Sequence, residues 1–148
     1  MPCGNDCFSE TNKIYIKDGC NFFSSYNTYI TNNDFRKIKI DKLKKDDFIY
    51  LDPPYLNTTA TYNENDGWTI KDEEDLYLLC ESLNKYGIKF GLSNVFVNKN
   101  KENTKLIEWC YKNNFNVYTF DKFTYTACGK GNSNAKEVFI TNYVKEDI

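Results

Sequence analysis

The apolar run Phe48-Ile49-Tyr50-Leu51 stops at Asp52-Pro53-Pro54-Tyr55, and this junction constrains the fold more than any other stretch of the chain. A short apolar run bounded by polar sequence reads as a buried strand. Each proline that follows locks its own φ and lacks an N–H. Each also pushes the residue before it toward extended backbone. The strand therefore ends at Leu51. The chain leaves it as a stiff segment that presents carbonyls without competing donors.

Downstream, the hydrophobic period changes. Residues 52–70 read as a polar loop containing Gly67. Leu76, Leu79, Cys80 and Leu83 then repeat at i, i+3, i+4 and i+7, which predicts a helix over residues 71–86. Thr69 and Asp72 form a capping pair at its start. The acidic stretch Asp72-Glu73-Glu74-Asp75 suits a first turn, where the helix dipole favours carboxylates. Gly87 suits the position just past the end. Residues 88–93 read as a strand, and residues 101–113 as a helix with Leu106, Ile107 and Cys110 inward. Residues 116–123 and 137–143 read as two more strands, separated by a loop with Gly129 and Gly131.

A strand-helix-strand-helix-strand order implies a parallel sheet. The last two strands, joined by a short loop, are expected to form an antiparallel hairpin. The expected class is therefore α/β: a mostly parallel sheet with an antiparallel C-terminal hairpin, its one reversed strand at the edge. Upstream of the motif the reading is less regular. Residues 1–18 look polar and irregular. Residues 19–28, with Phe22, Phe23 and Tyr26, suit a short helix, and residues 28–31 a strand ending at Asn33-Asp34-Phe35. The run Arg36, Lys37, Lys39, Lys42, Lys44 and Lys45 reads as a solvated loop or edge.

Composition removes whole classes of chemistry. The chain has no histidine, so Ser-His-Asp, Cys-His and His-ligated metal sites are excluded. Its six cysteines are scattered: Cys3, Cys7, Cys20, Cys80, Cys110 and Cys128. Cys3 and Cys7 lack a second pair to complete a zinc site, so no metal is expected. The first residues show neither a basic nor an apolar region of a secretory signal, so free thiols and a cytoplasmic location are expected. No apolar run approaches the roughly 18 residues of a membrane span. The net charge of −2 argues weakly against a stand-alone nucleic-acid binder.

The chemistry must then run on carboxylates, backbone groups and aromatics. Asp52-Pro53-Pro54-Tyr55 lies at the carboxyl end of a strand, where open α/β sheets bind ligands. A carboxylate, a free carbonyl and an aromatic ring side by side suit a planar group bearing an amino function, such as a nucleobase. The bland readings are a turn cap for Asp52 and a core aromatic for Tyr55.

The tetrapeptide resembles the catalytic motif of S-adenosylmethionine-dependent amino-methyltransferases acting on DNA. The stretch from Asp46 through Tyr55 resembles the Dam-type adenine-N6 branch of that family. Asn33-Asp34-Phe35, Phe90-Gly91-Leu92-Ser93-Asn94 and the closing segment Glu137-Val138-Phe139-Ile140-Thr141-Asn142-Tyr143 resemble its flanking strands. The resemblance covers residues from about 30 to 143. It implies a partial Rossmann-like methyltransferase sheet and methyl transfer from S-adenosylmethionine to an adenine flipped out of double-stranded DNA. It implies Asp52, Pro53, Pro54 and Tyr55 as the catalytic set, and Asp34, Phe35 and Asp52 as cofactor contacts. A plain strand end for Asp34 and Phe35, and a loop cap for Ser93-Asn94, stay open beside these roles.

One departure from the family stands out. Its Gly-rich cofactor loop after the first strand has no counterpart in the 51 residues before Asp52. Gly4 and Gly19 follow no apolar strand, and Met1-Pro2-Cys3-Gly4-Asn5 resembles a mid-chain segment of the DNA-recognition region. The expected organisation is thus a remnant of that region with a connecting helix and strand over residues 1–33. The catalytic half of a methyltransferase domain follows over residues 34–148. Such a half is expected to self-associate or to need a complementing N-terminal half, and to bind cofactor weakly alone. A related methyltransferase on cytosine, RNA or a protein amide remains open, as does an inactive remnant or DNA-binding fragment.

Overall fold

The computed structural model describes residues 9–56, 67–98, 101–119 and 135–144. The chain divides into two compact units, Met1–Asn33 and Asp34–Ile148.

In the first unit a helix, α1, spans Glu10–Ser25. The Ser9 side chain caps it by accepting from the Asn12 backbone N–H at 3.2 Å. The helix thus begins well before residue 19, inside the stretch expected to be irregular. Near its end Ser24 and Ser25 turn their hydroxyls back onto the Cys20 and Asn21 carbonyls. Residues 28–31 form no strand, because no described strand pairs with them. A β-prone tetrapeptide has no strand identity without a neighbour to bond.

The second unit opens with two short helical turns, Phe35–Lys37 and Ile40–Lys42. The basic run is therefore neither plain loop nor sheet edge. Next come β1 (Phe48–Leu51), α2 (Ile70–Tyr86) and β2 (Lys89–Asn98). The small β3 (Lys101–Glu102) precedes α3 (Thr104–Lys112), β4 (Asn116–Thr119) and β5 (Lys136–Thr141). The caps of α2 follow the sequence. Thr69 and Asp72 exchange side-chain and backbone hydrogen bonds as a capping box. Gly87 closes the helix at φ 73°, a left-handed conformation that costs glycine little.

The sheet runs β1-β2-β5-β4. β1 and β2 are parallel, with Leu51 beside Leu92, whereas β5 is antiparallel to both β2 and β4. β1, β2 and β4 thus share one direction, and β4 and β5 pair antiparallel as expected. The reversed strand is not at the edge, however. β5 sits between β2 and β4. Pairing with β4 leaves its other side free, and that side bonds β2 from Gly91 to Val97.

Within the second unit, α2 and α3 cover one face of the sheet. Leu51, Phe90, Leu92, Val138 and Ile140 pack there against Leu76, Tyr77, Cys80 and Leu83 of α2 and against Leu106, Trp109 and Cys110 of α3. Each fully buried aliphatic or aromatic side chain contributes about 1.5–3 kcal/mol. Tyr77 stacks on Trp109 with centroids 4.3 Å apart. Asn142 fastens the sheet to the α2–β2 turn, accepting from the Phe90 N–H and donating to the Ile88 carbonyl, both at 2.9 Å. The opposite face carries aromatics. The Phe139 and Phe48 rings lie over Gly91, where a Cβ would come within 2.3 Å of Phe139. Among the described residues, no helix is long and apolar enough to cross a membrane.

Candidate active site

Asp52 leaves the carboxyl end of β1, and the parallel register carried one step past Leu51–Leu92 sets it level with Ser93. The Asp52 side chain is exposed, as is Pro54, while Pro53 and Tyr55 are half-buried. Just before the motif, the Tyr50 hydroxyl meets Ser93 Oγ at 3.0 Å, tying the end of β1 to β2 on the open face. Ser93 and Asn94 lie inside β2 rather than capping a loop, because β2 runs on to Asn98. The β2–β5 pairing is interrupted between Val95 and Val97. Irregular pairing of this kind is common beside active sites. Asn94 is buried and accepts from its neighbour's N–H, Val95, at 2.7 Å.

Asp34 and Phe35 sit on the first helical turn, against α2. The Asp34 carboxylate caps that turn by accepting from the Arg36 N–H at 2.8 Å, and Arg36 Nη1 returns to it at 3.0 Å. Arg36 also reaches α2, donating from Nε to Asp75 at 2.7 Å and from Nη2 to Asp72. Its guanidinium carbon lies 4.6 Å from the centre of the Phe35 ring. Phe35 leans on Trp68 at 5.7 Å between centroids.

The acidic stretch at the start of α2 proves to be four acids with four fates. Asp72 caps the helix and pairs with Arg36, and Asp75 binds Arg36 and Lys71. Glu74 reaches Lys105 at 3.1 Å. Glu73 is buried, and accepts from Trp68 Nε1 at 2.6 Å and from the Tyr77 hydroxyl at 2.9 Å. The Thr69 hydroxyl and backbone, helped by Arg36, hold the Asp72 carboxyl down at about 2. Lys71 and Arg36 lower that of Asp75.

Arg36, Trp68 and Glu73 are site-adjacent residues that the sequence reading passed over. Glu73 had one legible signal: it stands four residues before Tyr77 and seven before Cys80, on the apolar face of the helix. Cys3, Cys7, Cys128, Gly129 and Gly131 lie outside the described residues. No group of metal-ligating side chains occurs among the described residues.

These observations define a mixed α/β sheet with an Asp-Pro-Pro-Tyr segment at the carboxyl end of a parallel strand. Residues 8–126 match the family model of the D12 class N6 adenine-specific DNA methyltransferases, and the chain belongs to that family. It is 35% identical over 144 residues to Modification methylase StsI of Streptococcus sanguinis, an alignment covering 92% of this chain and 22% of the relative. Type II methyltransferase M.FokI of Planomicrobium okeanokoites is 33% identical over 116 residues, covering 75% of this chain and 18% of the relative. Modification methylase LlaI of Lactococcus lactis subsp. lactis is 36% identical over 117 residues, covering 74% and 17%. The chain spans about a fifth of the length of these relatives.

Proposed function

We infer that this chain forms the catalytic part of a site-specific DNA adenine-N6 methyltransferase of a restriction-modification or Dam-like system, acting on double-stranded DNA in the cytoplasm. The carrying observation is Asp52-Pro53-Pro54-Tyr55 at the carboxyl end of β1, beside β2. On this reading the fold is part of a Rossmann-like methyltransferase sheet.

The exocyclic nitrogen of adenine is a poor nucleophile, because its lone pair is delocalised into the ring. The Asp52 carboxylate and the Pro53 carbonyl each accept one of its N–H groups. Together they draw the nitrogen toward tetrahedral geometry and aim its lone pair. Pro53 and Pro54 keep the acceptors preorganised, so little reorganisation is needed during transfer. Tyr55 stacks on the flipped base, an interaction of about 1–3 kcal/mol. S-adenosylmethionine supplies the activated methyl group. The exposed Asp34 carboxylate keeps lone pairs beyond those taken by Arg36, as an acceptor for the cofactor's adenine must. Phe35 offers a ring edge, since the Arg36 guanidinium lies against its ring.

The test is methylation of duplex DNA with labelled S-adenosylmethionine, followed by a nucleoside digest. N6-methyladenine, reduced about a hundredfold or more in Asp52→Ala, supports the reading. Methylcytosine in its place would overturn the adenine assignment. A second reading is a DNA-binding fragment without methyl transfer of its own. Calorimetric titration with S-adenosylmethionine separates the two.

A further inference from the structure

Glu73 is 1% exposed, the only carboxylate among the buried described residues. Burying a carboxylate costs several kcal/mol unless hydrogen bonds satisfy it, and an apolar residue would fill the same space at less cost. Three donors converge on Glu73. Trp68 Nε1 binds Oε2 at 2.6 Å, while the Tyr77 hydroxyl and Asn94 Nδ2 bind Oε1 at 2.9 and 3.4 Å. Tyr77 is a neighbour on the same helix. The other two lead toward residues of the proposed site. Trp68 packs against Phe35, on the turn that presents Asp34. Asn94 stands two residues after Leu92, the β2 partner of Leu51, which precedes Asp52.

We propose that Glu73 is a positioning residue of the methyl-transfer site. Through Trp68 it fixes the Asp34–Phe35 turn, and through Asn94 it fixes the β2 backbone beside Asp52. The two halves of the site are thereby held by one carboxylate and cannot drift apart independently. This inference rests on the roles given above to Asp34, Phe35 and Asp52.

The test uses the full chain, labelled with ¹⁵N. The chain has two tryptophans, and the second, Trp109, donates to Glu81 at 2.9 Å, which makes its indole signal an internal control. Trp68→Phe removes the donor but leaves Glu73 bonded to Tyr77 and Asn94, so the fold is retained even if Glu73→Ala unfolds. Without cofactor, Trp68→Phe is expected to shift the Asp34, Phe35 and Arg36 amide signals and to speed their hydrogen exchange about tenfold, with Trp109 unmoved. Glu73→Gln keeps one acceptor for Trp68, and the Tyr77 hydroxyl can turn to accept from the new amide. This variant is expected to leave the turn's signals near their original positions. Titration with S-adenosylmethionine should then shift Phe35 in the unaltered chain, with affinity about tenfold weaker in Trp68→Phe. Cofactor-free spectra of Trp68→Phe with an undisturbed Asp34–Phe35 turn would overturn the brace itself. A titration of the unaltered chain that leaves Phe35 unmoved would instead sink the cofactor reading of the turn, and with it the brace's role in catalysis.

Discussion

Arg36 Nε lies 2.7 Å from Asp75 Oδ2, joining the helical turn that follows Asp34 to the second turn of α2. Arg36 also bonds Asp72 and Asp34, so one guanidinium gathers three carboxylates. The Asp72 carboxyl titrates at about 2 and that of Asp75 is also lowered. Folded-state values below those of the unfolded chain mean stabilisation that is fully present above roughly pH 4. It is lost as pH falls through about 2. Urea unfolding between pH 5 and pH 2 should show stability falling with acid, and Arg36→Ala should make that fall shallower. Arg36 is exposed and Asp72 and Asp75 are half-buried, so solvent reaches the cluster and added salt should weaken the effect. An identical acid profile in the variant would mean the clamp contributes nothing.

Gly91 is required by the open face of the sheet. A methyl group there would sit 2.3 Å from Phe139 Cζ and 3.0 Å from Phe48 Cζ, so both rings would have to swing away. Gly91→Ala is expected to cost about 1–3 kcal/mol, read as a lower midpoint in thermal or denaturant unfolding. A midpoint within error of the parent would mean the rings move freely.

The three cysteines among the described residues should fall into two reactivity classes. Cys80 and Cys110 are buried between α2, α3 and the sheet, and Cys20 is exposed. Burial pushes the Cys110 thiol up to about 12 and raises that of Cys80 further. The thiolate is the reactive form, so neither should react near neutral pH. Iodoacetamide with mass mapping should label Cys20 in the native chain, and Cys80 and Cys110 only after denaturant is added. Prompt labelling of Cys80 without denaturant would show that the helices open readily.

Among the described residues β1 pairs only with β2, and none of them bonds its other edge. Edges of this kind recruit other strands. Small-angle scattering over a concentration series should show association of this chain. A compact monomer at every concentration, with fast-exchanging β1 amides, would end this idea.

What the sequence disclosed tracks the range of the interactions involved. β1 and its end were legible because two prolines act on their immediate neighbours. The limits of α2 were legible because Thr69, Asp72 and Gly87 are caps that act within one turn. The insertion of β5 was not legible. Antiparallel pairing with β4 follows from the connection, but which strand takes the other side of β5 depends on contacts far apart in the chain. The start of α1 was hidden for a different reason: its first turn, Glu10-Thr11-Asn12-Lys13, is polar throughout, so only the Ser9 cap marks it. At the candidate site the motif was readable as a string. Glu73 was read as a first-turn acid, because the charged run around it masked its place on the apolar face four residues before Tyr77.

The position of β5 has a bearing on how the chain is made. A ribosome delivers β2 and then β4 well before residue 136, yet these strands never bond one another. Until β5 arrives, each holds an inner edge ready for a partner and the sheet cannot close. Contacts between distant parts of a chain form slowly. Nascent chains halted before residue 136 should therefore be far more sensitive to protease and more prone to aggregate than those halted after β5 has emerged.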